Sequence, residues 1–214
     1  MIEIKDLCLA YTKDYLTLCD INLEIKDGQK VTICGEKESG KSSLLRVIAG
    51  IVKPTSGNVY INKIPVDKID FKKDVSLGFL PSQPVFMENK TVLQNLQYVL
   101  KIRKVVKELA NIKIENAIKT YDLQTIANMK MKDLQYFDRV KVALARFQLR
   151  PIEVLIVDDV FSRLGESDQK IVVKHINNLI KANQCSCLIA VEDKSMFSVV
   201  GGKQVVIDNG SLVN

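Results

Sequence analysis

The stretch that decides the fold is VTICGEKESGKSSLLRVIAG, Val31 to Gly50. It opens on a short apolar, β-branched run and passes through Gly35-Glu36-Lys37-Glu38-Ser39-Gly40-Lys41-Ser42. It continues with Leu44, Leu45, Val47 and Ile48 before a glycine stop at Gly50. The segment satisfies G-x-x-x-x-G-K-[ST] in the strand, loop, helix context that gives this pattern its chemistry. Small residues at the turn let backbone N–H groups close around phosphate oxygens, and the following helix presents its positive N-terminal end to them. Lys41 is placed to reach the outer phosphates of a nucleotide and Ser42 to offer a hydroxyl to Mg2+, so Gly35 through Ser43 form the candidate nucleotide-binding segment. Glu36 and Glu38 repel a polyphosphate unless they point to solvent, and Lys37 offsets part of that charge.

Outward from the loop, QKVTICG, EVLIVDD, SCLIAVED and KQVVIDNG are short apolar runs separated by segments long enough to hold helices. That pattern predicts parallel strands buried on both faces, hence an α/β fold with a mostly parallel core sheet. Alternating stretches within about 1–30 and 57–70 predict an antiparallel β lobe, half exposed. From about 84 to 149 the helical period dominates, which predicts an inserted helical subdomain within a single domain of 214 residues. There, Val92, Leu96, Val99, Ile102, Val106 and Leu109 recur at helical spacing and leave Lys101, Arg103, Lys104 and Lys107 as a solvated basic face. The expectation is therefore no nucleic-acid partner, although the formal charge is +6.

Composition is that of an ordinary globular chain, 47% hydrophobic and 26% charged, without repeats or low-complexity tracts. No window approaches the ~18 apolar residues of a membrane helix, so a cytoplasmic chain is expected. The five cysteines include no C-x-x-C pair and the single histidine, His175, has no cysteine nearby in sequence, which argues against a zinc site. Cys34 and Cys187 lie in apolar runs and read as small core residues.

In VLIVDD, Asp158 ends a buried apolar run, the place from which a P-loop NTPase holds its Mg2+. With GIVKPTSGNVYIN at Gly50 to Asn62, and similarity from MIEIKDLCLAY to the closing VVIDNGSLV, the chain resembles the nucleotide-binding domain of an ABC transporter ATPase. The resemblance implies a P-loop NTPase, RecA-like core with an antiparallel β lobe and a helical subdomain, and ATP with Mg2+ as cofactors. It also implies that Tyr11 stacks on adenine, with Tyr15 the alternative. The glutamine that joins the metal site falls at Ser82, with Gln83 one residue late as its substitute.

Several positions depart from the family. Its LSGGQ signature falls on Leu134-Gln135-Tyr136-Phe137-Asp138, so bulky side chains stand where glycines let a backbone approach phosphate. Asp159 stands for the water-activating glutamate, Gly165 for an aspartate, and Glu192 for the switch histidine. The resemblance implies an ATP-binding subunit peripheral to the inner face of a membrane. It would dock integral membrane subunits around Gln83 to Asn95 and pair with a second ABC-type ATPase or a copy of itself. The departures imply slow or absent hydrolysis, as in a regulatory module or a degenerate half beside a competent ATPase. With the damaged signature reused, Tyr136 and Phe137 would contact another protein; otherwise they pack within the helical subdomain.

Overall fold

The structure is a computed structural model and describes residues 1–12, 15–71 and 73–213. The chain divides into two units: 1–82 with 152–162 and 180–214, and 83–151 with 163–179.

The first unit holds two sheets. Strands β1 (Ile2–Thr12), β2 (Tyr15–Ile25), β4 (Ser56–Ile61) and β5 (Ile64–Pro65) form an antiparallel sheet in the order β2-β1-β4-β5. Its alternation is visible in β1, where Ile2, Ile4, Leu7 and Leu9 are buried while Lys5 and Asp6 are exposed. The second sheet combines β3 (Lys30–Cys34), β6 (Leu77–Leu80), β7 (Val154–Asp158), β8 (Ser186–Val191), β9 (Lys203–Asp208) and β10 (Ser211–Val213), ordered β10-β9-β3-β8-β7-β6. Five of these strands run parallel and β10 returns antiparallel to β9. Every residue of β7 and β8 is buried, which is why these segments read as unbroken apolar runs.

Helix α1 (Lys41–Ile48) packs on β2, β7 and β8, with Leu44, Leu45, Val47 and Ile48 at most 1% exposed. Register across the parallel strands sets Cys34 beside Val191 and Ala190 beside Asp158. Gly35, Asp159 and Glu192 each follow the last residue of a strand, so they meet along one carboxyl edge of the sheet, where open α/β sheets place their ligands. A short helix α6 (Met196–Val200) packs against β3.

The second unit is built from α2 (Val92–Ile102), α3 (Lys107–Thr120), α4 (Tyr136–Gln148) and most of α5 (Glu166–Asn183). Thr91 and Gln94 form a reciprocal capping box at the start of α2. The buried Asn95 side chain ties the preceding loop down, accepting from Met87 N–H at 3.1 Å and donating to the Thr91 carbonyl at 3.0 Å. Glu88 and Arg139 form a two-pronged ion pair at 2.6 and 2.9 Å, which lowers the glutamate's pKa and raises the arginine's.

One expectation needs correction here. The apolar period from Val92 to Leu109 is not one helix: α2 ends at Ile102, and Lys104 adopts φ 54° while Val105 N–H bonds back to the Leu100 carbonyl at 3.1 Å. That left-handed stop, closed by a six-to-one bond, is made here by lysine rather than glycine. Ile102, Val106 and Leu109 are consequently 45–65% exposed, and Arg103 and Lys104 lie on a turn rather than on a helix face.

Candidate functional site

Gly35 to Ser42 form a tight loop between β3 and α1. Gly35 N–H donates to Val191 O at 3.4 Å and Ser39 N–H to Glu36 O at 3.2 Å. A side chain at Gly35 would place its Cβ 2.3 Å from the Ile207 carbonyl, so only glycine fits. Gly40 takes φ 103° as the residue before α1, with no side-chain cap on the helix, which leaves the first-turn N–H groups for a ligand.

Lys41 is 6% exposed and folds back on the loop, donating to the Gly35 carbonyl at 2.7 Å, the Glu36 carbonyl at 2.6 Å and Ser39 Oγ at 3.4 Å. Glu36, Lys37 and Glu38 are exposed, and Glu38 is among the residues lining the cavity beside the loop. A cavity of about 460 Å³ opens beside the loop, lined among others by Tyr15, Glu38, Gly40, Lys41, Ser42 and Ser43. Tyr11 is 55% exposed and its hydroxyl donates to Ser43 Oγ at 3.3 Å, so both tyrosines of the β1–β2 pair stand at the loop rather than in the core.

Across the sheet edge, Ser42 Oγ donates to Asp158 Oδ1 at 2.7 Å, with Asp158 only 2% exposed. A serine hydroxyl and a carboxylate side by side are hard oxygen donors of the kind Mg2+ takes, and Mg2+ needs only one or two such groups because water and phosphate complete its shell. The donor set fits. Among the described residues no group of three or more His, Cys, Asp or Glu could hold a metal by itself.

Asp159, the next residue, is arranged differently. It adopts φ 42°, and its Oδ1 is buried without a hydrogen-bond partner. Burial chiefly, with Glu192 and Asp158 adding repulsion, pushes its carboxyl above the ordinary range, while the Ser162 hydroxyl and Lys41 pull the other way. Glu192 itself is exposed, and its carbonyl accepts the Cys34 thiol at 3.5 Å. Burial raises the Cys34 pKa, in keeping with the core reading of that thiol; Cys187 is likewise fully buried.

The remaining expected residues belong to the helical unit. Gln83 opens that unit, one residue after Ser82 closes the other. Leu134 to Asp138 enter α4 with Gln135 at its cap position and no side-chain cap. Tyr136 and Phe137 are half-buried, and each carries a cation on its ring: Arg163 at 4.3 Å over Tyr136 and Lys141 at 4.7 Å over Phe137. Lys141 also pairs with Asp138 at 3.0 Å. Sequence reasoning did not anticipate Arg163, which only folding brings to Tyr136, whereas Lys141 stands four residues after Phe137 on one helix, a spacing the sequence carries.

A family model described as ABC transporter matches residues 18–162. Curated relatives include an sn-glycerol-3-phosphate import ATP-binding protein, UgpC, of Bartonella bacilliformis, 29% identical over 99% of this chain and 61% of its own length. A sulfate/thiosulfate import ATP-binding protein, CysA, of Synechocystis is 30% identical over 93% of this chain and 56% of its own. The chain thus spans 56–61% of the length of those relatives. Among solved structures, the dimeric bacterial ABC transporter cassette MJ0796 superposes with a TM-score of 0.88 at 23% identity, covering 100% of this chain and 97% of that one. At that identity the likeness speaks for the fold.

Proposed function

The chain belongs to the ABC transporter family, and from that premise we propose that it is an ATP-binding subunit of an ABC-type transporter or related membrane complex, holding MgATP while hydrolysing it slowly or not at all. The observation that carries the reading is the contrast between two adjacent acids. Asp158 is held by the Ser42 hydroxyl at the foot of the glycine-bounded loop, whereas Asp159 is an under-partnered carboxyl next to Glu192.

In this reading the α1 N-terminus and the loop N–H groups take the polyphosphate, Lys41 turns from the Gly35 and Glu36 carbonyls to the outer phosphates, and Tyr11, with Tyr15 the alternative, flanks the adenine. Ser42 and Asp158 are the groups that would hold Mg2+, which when bound neutralises charge on the phosphate oxygens. Asp159 is one methylene shorter than glutamate, and a misplacement of about 1 Å at a reacting centre costs on the order of a hundredfold in rate. Glu192 puts a carboxylate where a donor to developing charge would be worth another ~10² to 10³. From a median turnover of about 10 per second, the two together give something near 10⁻³ per second or slower.

The cation-stacked Tyr136 and Phe137 favour one particular variant of this function, a regulatory module or a degenerate half beside a competent ATPase, because their rings occupy the first turn of α4. The partners proposed are integral membrane subunits and a second ABC-type cassette or another copy of this chain, at the inner face of a membrane. No helix among the described residues is long and apolar enough to cross one.

The deciding experiment follows phosphate release from MgATP by the purified chain beside Lys41→Ala, at protein concentrations that resolve one turnover per hour. The expected result is release indistinguishable from the variant, or near the slow rate above. Lys41-dependent turnover at or above one per second would establish a working ATPase in which Asp159 suffices.

A further inference from the structure

Cys8 and Cys19 face one another across β1 and β2 at a point where neither spends its backbone on the other. The register pairs Leu7 with Ile21 and Leu9 with Leu18, leaving Cys8 alone against Cys19 and Asp20, a bulge with Asp20 at φ 48°. Cys19 N–H points away from β1 and donates to the Gly210 carbonyl at 2.8 Å, and the Cys19 carbonyl accepts from Ser211 Oγ at 3.4 Å. The Cys8 carbonyl points the opposite way and accepts from Thr55 N–H at 2.9 Å. Residues that face one another across neighbouring antiparallel strands lie close enough for a disulfide, which needs Cα atoms roughly 4.4–6.8 Å apart. Cys8 Sγ already accepts the Asp20 N–H at 3.3 Å, so this sulfur lies against the peptide joining Cys19 to Asp20. Leu7, Leu9, Leu18 and Ile21 face the core; both thiols alternate to the other side and are partly exposed, unlike Cys34, Cys185 and Cys187.

A single residue, Gly210, connects this pair to the phosphate loop. The Gly210 carbonyl takes the Cys19 N–H, and the Gly210 N–H donates to the Ser39 carbonyl at 3.0 Å. Gly210 has no room to move toward β2, since a Cβ there would stand 2.5 Å from the Thr17 carbonyl. The same two strands carry Tyr11 and Tyr15.

We infer that Cys8 and Cys19 are a peroxide-oxidisable thiol pair whose disulfide loosens the phosphate loop and so weakens nucleotide binding; the nucleotide consequence rests on the function proposed above. A peroxide oxidises one thiol to a sulfenic acid, leaving as water or an alcohol, and the second thiol attacks the sulfenic sulfur and releases water. The two sulfurs together lose two electrons, which reduce the O–O bond. Closing the S–S bond draws Cys8 Sγ off the Asp20 N–H and Cys19 toward β1, lengthening the Cys19 to Gly210 bond and with it the hold on Ser39.

The test uses the whole chain with Cys8→Ser and Cys19→Ser, each reduced and treated with hydrogen peroxide. It reads peptide mapping, amide exchange without nucleotide, and binding of a fluorescent ATP analogue. The expected result is a reductant-reversible peptide linking Cys8 to Cys19, two hydrogens lighter than its parts, with faster exchange at Gly210 and across 35–42. Affinity then falls about five- to tenfold, the size of one backbone hydrogen bond, and neither variant responds. Thiols that stay unlinked, a link to Cys34 instead, or a Cys8 to Cys19 link that leaves exchange unchanged would each overturn the inference. Reduced protein that binds no nucleotide would overturn the nucleotide reading alone, with mapping and exchange still deciding the thiol pair.

Discussion

Helix α1 and helix α4 both begin without a side-chain cap, so each leaves first-turn N–H groups and the positive end of a dipole for something else to satisfy. At α1 the preceding residue is glycine at φ 103°, and Gly40, Lys41, Ser42 and Ser43 open onto a cavity. At α4 the first two positions are Tyr136 and Phe137, covered by Arg163 and Lys141, with Asp138 supplying negative charge to the same turn. The difference teaches that a helix N-terminus is an anion site only where its first side chains leave the amides approachable. At α4 the same turn carries the protein's own acid, Asp138, and two half-buried aromatic rings.

The contrast breaks most directly at Lys41. Removing its ammonium with Lys41→Ala should weaken nucleotide binding by about a hundredfold, the scale of losing charged hydrogen bonds to phosphate, as measured by equilibrium binding. Affinity within threefold of the parent would mean that the amides alone hold the ligand and that α1 differs from α4 only in access. At α4, replacing Tyr136 and Phe137 together by glycine should lower stability by about 2 kcal/mol in urea unfolding, summing the propensity loss of two aromatic-to-glycine changes and two lost cation–π contacts. A loss below about 1 kcal/mol would show that the rings are not held by the fold and are free for another protein, the alternative use of this face.

The smallest effect concerns the charge beside the loop. Because the Asp159 pKa is raised in the folded protein, its ionised form costs stability that is present at low pH and is lost as pH rises from the ordinary aspartate range through the raised value. Asp159→Asn, which keeps the shape and tolerates a positive φ, should therefore stabilise the chain on the order of 1 kcal/mol at pH 7. The gain should shrink toward pH 4. Thermal melts at the two pH values check the sign, and an equal or larger gain at pH 4 would locate the effect in the backbone rather than the charge.

Much of this was legible in the residues because the relevant physics is local. The glycines and lysine of 35–42, the unbroken apolar runs of β3, β7 and β8, and the alternation of β1 each satisfy a rule whose period or spacing lies within one element. The strand Leu77–Leu80 escaped notice, since four residues including a glycine and alternating in burial carry little periodic signal. The stop between α2 and α3 escaped as well, because neither glycine nor proline marks it and Lys104 bears the positive φ.

By itself, then, the sequence determined an α/β core with a G-x-x-x-x-G-K-S loop between strand and helix, and it singled out Tyr136, Phe137, Asp159 and Glu192. Only the tertiary structure decided how those residues stand. It set the strand order that aligns Gly35, Asp158 and Val191, and the lack of a partner for one Asp159 oxygen. It brought Arg163 onto the Tyr136 ring and set Cys8 against Cys19. The physical reason is that spacing along a chain encodes which groups share an element, whereas a group's charge, partners and access depend on burial against segments far away in the sequence.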